Sequence, residues 1–87
     1  MYDFEFDEKK SASDLKKHGI DFVAAQELWD DPDLIEVKVI CDTEPRFLIV
    51  GRIKEKHWSA AITYREDRIR IISVRRSRKT EEVLYES

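Results

Sequence analysis

The arginines between Arg65 and Lys79 are the residues of this chain best suited to chemistry. The segment reads R-E-D-R-I-R-I-I-S-V-R-R-S-R-K, which predicts a β-hairpin turn, a strand and a basic end. Arginine carries a permanently charged, planar fork of donors that matches the oxygens of a phosphate group. A basic surface on a small domain usually faces a polyanion, so we expect the function on the strands of the second half.

Individual residues of this segment allow more than one interpretation. Arg75 and Arg76 occupy adjacent strand positions and therefore point to opposite faces of the sheet. One of them is expected to reach a ligand while the other pairs with a carboxylate of the acidic half, and residue order leaves open which one. Arg65 flanks a turn, where a surface charge and a phosphate contact are equally good interpretations. Trp58 begins a strand and is either a core residue or an exposed platform for base stacking.

Two histidines add candidates for proton transfer, because histidine changes charge near neutral pH. His18, in K-K-H-G, is suited to act as acid or base beside a scissile phosphate. It is equally suited to end a helix, where a cation gains about 0.3–1 kcal/mol from the helix dipole. The residues alone favour the helix end. His57 adjoins a predicted hairpin loop, so we expect it to be solvated.

The charge is divided along the chain. From Arg46 to Lys79 there are eleven Lys/Arg against three Asp/Glu, a net of +8, whereas Met1–Glu44 has five against thirteen, a net of −8. The last eight residues add −3, which leaves the whole chain at −3. A merely solvated surface would normally mix both signs. The concentration of positive charge in Arg46–Lys79 therefore indicates a binding function and not only a solvated surface.

The residues that metal and nucleotide sites need are scarce. The chain has two histidines and one cysteine, with no spacing typical of metal ligands, so we predict no metal site. Its two glycines, Gly19 and Gly51, cannot build a phosphate-cradling loop or a dinucleotide fingerprint. We therefore expect no cofactor.

Length and composition predict one small domain over residues 1–87. An apolar fraction of 41% supplies a single core layer without a deep cavity, so chemistry should occur on an open face or in a shallow groove. The longest aliphatic or aromatic run, F-L-I-V, is far too short to span a membrane, and the acidic start lacks the features of a signal peptide. A lone Cys41 fits a reducing compartment, and the prediction is a cytoplasmic protein.

The first third of the chain should form a strand and two helices. Tyr2–Asp7 alternates aromatic and acidic residues, which is typical of a strand with one buried face, and its last residue suits a helix N-cap. The first helix should run to about His18, with Gly19 as a left-handed C-cap. A second helix is expected from near Asp21 to just before Pro32.

The remainder favours strands. They are predicted at Ile35–Cys41, Arg46–Ile53, His57–Arg65 and Arg68–Arg76, with turns or loops at Asp42–Pro45, Lys54–His57 and Arg65–Asp67. Thr80–Tyr85 favours a short C-terminal helix, with Thr80 as its N-cap. The order predicts an α+β fold in which two N-terminal helices pack on an antiparallel sheet.

Taken together, these motifs resemble the BrnT family of bacterial type II toxins over nearly the whole chain. The resemblance rests on F-E-F-D-E-K-K, D-L-K-K-H-G-I-D-F, D-D-P, E-P-R-F, Gly51, T-Y-R-E-D-R-I-R-I-I-S-V-R-R and a terminal E-E-V-L-Y. K-H-G is moderately specific, and R-I-I-S-x-R is the stronger signature. The chain departs from the family pattern at Asp14, where many members have Asn, and at Ile62, where many have Tyr.

The resemblance implies a RelE-like fold and a ribonuclease that cleaves RNA to arrest translation. It also implies a BrnA-type antitoxin that neutralises the toxin. Two toxins on one antitoxin dimer would give a heterotetramer, which would bind operator DNA only through the antitoxin.

By family position, the resemblance implies functional roles for Lys17, His18, Arg65, Arg75 and Arg76. RNA supplies its own nucleophile in the 2′-hydroxyl, so a metal-free site needs only an acid, a base and cations. We therefore predict His18 as acid or base, with Arg65, Arg75 and Arg76 holding the phosphate. The residues predicted to bind RNA are Lys17, Arg68, Arg70, Arg78 and Lys79.

Two alternatives remain at this point. The basic face is also suited to bind an acidic protein segment or a nucleic acid without cutting it. A degenerate toxin kept as a binding scaffold is compatible with the departure at Ile62.

Overall fold

The computed structural model describes residues 2–40 and 43–87. The elements are β1 Phe4–Phe6, α1 Glu8–His18, α2 Phe22–Ala25, a 3-10 helix Gln26–Asp30, β2 Ile35–Val39, β3 Arg46–Ile53, β4 Lys56–Arg65, β5 Arg68–Arg76 and α3 Lys79–Glu86. The end of the predicted strand at Cys41 and the start of the predicted turn at Asp42 lie outside the described residues. Within the described part, the helices are too short or too polar to cross a membrane.

Five strands form one mixed sheet in the order β1-β5-β4-β3-β2. The predicted antiparallel meander from β2 to β5 is confirmed. The prediction of an entirely antiparallel sheet is wrong, because β1 pairs parallel to β5 at the sheet edge. Phe4 lies opposite Ile69 and Phe6 opposite Ile71, so the aromatic side of β1 extends the apolar face of β5. This pairing joins the first strand of the chain to the last strand.

Local capping explains where α1 lies along the chain. The carboxylate of Asp7 accepts a hydrogen bond from the Lys9 backbone N–H at 2.8 Å. Gly19 ends the helix with φ +83° and donates its N–H to the Leu15 carbonyl at 3.0 Å. Glycine adopts this left-handed conformation without the strain that a Cβ introduces. Both predicted caps are confirmed.

The second helix differs from the prediction in its geometry. Asp21 caps α2 by accepting the Ala24 N–H at 2.8 Å. The α-helical part ends at Ala25, and a 3-10 helix continues through Asp30. Short 3-10 segments are common at the ends of α-helices. Asp31 is extended at ψ 117° because it precedes Pro32, whose ring disfavours the helical conformation in the residue before it.

The C-terminal helix exists, but Thr80 is not its N-cap. Helix α3 begins at Lys79, and Arg78 occupies the capping position. The Glu81 carboxylate accepts the Arg78 backbone N–H at 2.8 Å. Because this carboxylate satisfies a free donor at the helix start, the helix begins one residue before Thr80.

The core lies between the sheet and the first two helices. Its buried apolar residues are Ile20, Phe22, Ala25, Leu28, Ile49, Trp58, Ala60, Ile62, Ile69, Ile71 and Val74. We refer to the sheet face that these strand residues occupy as the helix-side face, and to the opposite face as the open face. Strand alternation fixes which residues share each face.

Replacing Leu28 by Ala should lower the free energy of unfolding by about 2–5 kcal/mol, because Leu28 is fully buried and the change leaves a cavity. Urea denaturation measures this value. Val23→Ala is the control, since Val23 is 61% exposed and should change stability by less than about 0.5 kcal/mol. Equal effects of the two substitutions would contradict this packing.

Candidate functional site

Basic and titratable residues meet where α1 ends beside the β3–β4 hairpin. A cavity of about 580 Å³ lies there, and its charged lining residues are two lysines and two glutamates; the lining includes Gly19, Glu27, Lys54, Glu55, Lys56 and Trp58. We call this region the corner site. His18 directly precedes Gly19 and is exposed. Among the described residues, no hydrogen bond or ion pair engages the His18 side chain.

A contact between α1 and β5 holds the helix that carries His18. Asp14 is buried, and its carboxylate accepts the backbone N–H of Val74 at 2.9 Å. This N–H is free for the contact because β1 pairs with β5 only over Ile69–Ile71. Residues four apart lie one above the other on a helix, so His18 lies one turn beyond Asp14, towards the end of β5.

Arg76 brings the end of β5 into the corner site. Its guanidinium lies over the ring of Trp58, 5.4 Å from the centroid, and its Nε donates to the His57 carbonyl at 3.3 Å. Arg76 itself stays exposed. Trp58 is only 8% exposed, so it is a core residue and not a free stacking platform. The ring holds the arginine in place and leaves its remaining donors available.

Arg75 points to the open face, where it binds a carboxylate. Its two terminal nitrogens donate to the two oxygens of Glu81 at 2.8 and 2.7 Å. Glu81 also accepts the Ser59 hydroxyl at 2.9 Å. The prediction that one arginine of the pair is bound by a carboxylate is confirmed, but that carboxylate comes from α3 and not from the acidic half. This ion pair fastens α3 to the sheet.

His57 is a second anchor for α3. Its Nε2 lies 2.7 Å from a carboxylate oxygen of Glu86, and its Nδ1 lies 3.8 Å from Glu82. The side chain is 16% exposed, so the expectation of a solvated histidine is wrong. Tyr85 adds a third contact by donating its hydroxyl to Asp31 at 2.7 Å. Burial and the Asp31 carboxylate raise the pKa of Tyr85 to about 12.

Four arginines gather at the other end of the open face. They are Arg46, Arg65, Arg68 and Arg70, which we call the arginine cluster. Arg65 and Arg68 are exposed and face each other across the β4–β5 turn. Arg70 forms an ion pair with Glu5 at 3.1 Å. The Nε of Arg46 is buried and has no hydrogen-bond partner among the described residues.

The predicted phosphate-binding trio does not converge. Arg75 pairs with Ser59, and Arg65 lies six residues further along β4. At a rise of roughly 3.3 Å per residue, about 20 Å separates the two positions, too far for one phosphate. Arg76 lies near the same end of β5 as Arg75 but on the other face. The structure therefore places Arg65 at the opposite end of β4 and β5 from Arg75 and Arg76. His18 ends α1, one turn beyond the contact of Asp14 with Val74.

The other residues predicted to bind RNA fall into two groups. Lys17 lies in the last turn of α1, next to His18, and is exposed. Arg78 and Lys79 are exposed at the start of α3, directly after the end of β5. Arg68 and Arg70 belong to the arginine cluster. Within residues 2–40 and 43–87, no three His, Cys, Asp or Glu side chains are grouped to hold a metal ion.

Sequence reasoning missed Glu81, Ser59, Lys54 and Lys56. The acidic residue three positions after Arg78 was a signal for Glu81, since helix starts favour Glu there. Nothing local points to Ser59, whose contact crosses 22 residues. The two lysines were assigned to a loop, and only packing places them beside Gly19.

Both departures from the family pattern lie in the interior. Asp14 caps the backbone of β5 through a side-chain oxygen, which an Asn amide also carries. Ile62 is fully buried in the core cluster. Ile62 therefore cannot stack on an RNA base, and this departure concerns packing.

The chain matches a known protein family. A family model described as the ribonuclease toxin BrnT of a type II toxin–antitoxin system matches residues 6–81 of the 87. The match includes the corner site, the arginine cluster and Glu81. No individual curated protein matches the chain.

Acid should loosen α3. The paired guanidinium of Arg75, helped by the Arg78 N–H and the Ser59 hydroxyl, lowers the pKa of Glu81 from 4.5 to about 2. A carboxylate with a lowered pKa stabilises the fold fully above its unfolded value, and this contribution is lost as the pH falls from about 4.5 towards 2. Replacing Glu81 by Gln should therefore cost about 2 kcal/mol at neutral pH and flatten the loss of stability in that window.

Urea denaturation at several pH values measures this effect, with Glu55→Gln as the exposed control. Parent and Glu81→Gln curves that run parallel between pH 2 and 5 would contradict the role of this ion pair.

Proposed function

Because the chain belongs to the BrnT family of ribonuclease toxins of type II toxin–antitoxin systems, we propose that it is an endoribonuclease that needs no metal ion and arrests translation. The reaction centre is placed at the corner site. The observation that supports this placement is the Asp14–Val74 hydrogen bond, which holds α1 against β5 one helical turn before His18 and two residues before Arg76. The α+β arrangement is proposed to be a form of the RelE-like fold.

The reaction follows from the chemistry of RNA. The 2′-hydroxyl attacks the adjacent phosphorus, and the bond from phosphorus to the 5′-oxygen breaks. The products are a cyclic phosphate and a 5′-hydroxyl, and one proton moves from the attacking oxygen to the leaving oxygen. Since the nucleophile belongs to the substrate, the protein supplies proton transfer and positive charge.

His18 is proposed to transfer the proton, because it is the exposed histidine of the corner site. Arg76 is proposed to stabilise the charge that develops on the phosphorane oxygens. Its stacking on Trp58 fixes the guanidinium before the substrate arrives, and preorganised charge is the more effective kind. Lys17 adjoins His18 in the last turn of α1, and Lys54 and Lys56 line the cavity of the corner site. All three are proposed to hold the flanking phosphates.

Arg75 takes a positioning role in this proposal. Its guanidinium is engaged by both oxygens of Glu81, on the face opposite Arg76. Holding α3 on the sheet keeps the end of β5 rigid. The proposed role of Arg75 is therefore to position Arg76. Arg78 and Lys79 extend the positive surface past that end and are proposed to contact RNA.

The arginine cluster is proposed to bind the antitoxin. A type II system implies a protein antitoxin, and we propose one of BrnA type, with two toxins on an antitoxin dimer that alone contacts operator DNA. Arg46 of the cluster lies opposite Val39 of β2, and Val37 and Val39 are 37% and 42% exposed. Arginine beside exposed aliphatic side chains fits an acidic protein segment better than RNA. The site of action is proposed to be the cytoplasm.

The test of the reaction centre is the cleavage of total RNA by purified toxin in EDTA. His18→Ala and Arg76→Ala should each lower the rate by about 10²-fold or more. Arg52→Ala is the matched control, because Arg52 is an exposed arginine outside the corner site, and it should cleave like the parent. Intact RNA with the parent protein would favour a non-catalytic binding module.

The test of the arginine cluster is the affinity for the purified product of the neighbouring antitoxin reading frame. Arg65→Ala combined with Arg68→Ala should weaken binding about tenfold at low salt and less at high salt, since surface ion pairs are screened. Lys9→Ala with Lys10→Ala removes the same charge from the exposed start of α1 and should leave the affinity unchanged. Equal affinities of all three proteins would place the antitoxin elsewhere.

A further inference from the structure

An aromatic cavity lies on the helix-side face, at the end of the sheet where β4 turns into β5. Its volume is about 450 Å³, and rings of Tyr2, Trp29 and Tyr64 line it. Leu34 and Ile69 complete its apolar part. The rings of Tyr2 and Trp29 lie 6.5 Å apart between centroids. The corner site lies at the opposite end of β4, so this cavity has no part in the proposed reaction.

Four carboxylates surround the same cavity, from Asp3, Glu36, Glu66 and Asp67. All four residues are exposed, and within residues 2–40 and 43–87 no lysine or arginine lines the cavity with them. In the part of the chain that the structure describes, none of the four forms an ion pair. These carboxylates are thus left without a directly paired cation among the described residues, and Glu36 accepts the hydroxyl hydrogen of Tyr64.

The aromatic rings and the carboxylates together favour the binding of an organic cation. The faces of aromatic rings carry negative potential and attract cations, and Trp attracts them best. The carboxylates exclude phosphates and other anions. Burial, a hydrogen bond to Glu36 and its charge raise the pKa of Tyr64 to about 12, which fits a negative environment.

We infer that this cavity binds the guanidinium or ammonium group of a basic side chain that a protein partner supplies. The β4–β5 turn separates the cavity from Arg65 and Arg68 on the open face. A partner that contacts both faces of this turn therefore binds positive charge on the open face and negative charge on the helix-side face. The choice of a protein rests on the proposed antitoxin, whereas the preference for a cation rests on the cavity alone.

The experiment is a titration of the ¹⁵N-labelled full chain, followed by the chemical shifts of its backbone amides and of the Trp29 indole. The probes are N-acetyl-arginine amide and N-acetyl-lysine amide. N-acetyl-citrulline amide is the matched control, because citrulline has nearly the shape of arginine without its charge. A cationic probe should give saturable shifts at Trp29, Glu66 and Asp67, and the citrulline probe should give none.

Variants localise the binding. Glu36→Gln combined with Glu66→Gln should raise the dissociation constant of the arginine probe about fivefold, whereas Glu8→Gln, exposed and outside the cavity, should leave it unchanged. Tyr2→Leu tests the rings, since Tyr2 is 56% exposed and its loss should weaken binding without unfolding the chain. RNA cleavage by these variants should equal that of the parent. A loss of cation binding can then be distinguished from a failure of the proposed ribonuclease activity.

Three results would overturn the inference. They are equal shifts with the citrulline and arginine probes, shifts that spread over the whole surface, and undiminished binding by the double glutamine variant. Titration with spermidine distinguishes the source of the cation. If spermidine binds and neither amino-acid probe does, the ligand is a free polyamine and the inference of a partner's side chain is wrong.

Discussion

Consecutive side chains of a strand point to opposite faces, and β5 carries basic residues on both of them. This alternation sends Arg75 to the open face and Arg76 to the helix-side face. The first fastens α3 through Glu81, and the second stacks on Trp58 beside the end of α1. One basic dipeptide thus supports both a structural anchor and the proposed reaction centre.

The division of charge along the chain becomes a division in space. The acidic half supplies caps and contacts, such as Asp7 at the start of α1 and Asp14 on β5, as well as part of the rim of the aromatic cavity. The basic half supplies the arginine cluster and, at the corner site, Lys54, Lys56 and Arg76, whereas His18 comes from the first half. The turn at Glu66 and Asp67 lies between positive and negative surfaces, so a protein partner bound there can be recognised by both signs of charge.

Local patterns were sufficient for most of the elements. The caps at Asp7, Gly19 and Asp21 were predictable because each depends on residues within a few positions. Thr80 was the wrong cap because the Glu81 side chain accepts the Arg78 N–H. The parallel pairing of β1 with β5 was not predictable in this way, since it joins positions 65 residues apart and depends on which sheet edge is free.

The sequence by itself determined the family, the α+β class, the opposite orientations of Arg75 and Arg76, and the candidacy of His18. Periodicity, capping and motif spacing carry this information because they are local. Only the tertiary structure decided that Asp14 of α1 binds the backbone of β5, that Arg75 binds Glu81, and that Arg65 is about 20 Å from Arg75. Strand register and helix packing set those distances, and both arise from contacts between residues far apart in the chain.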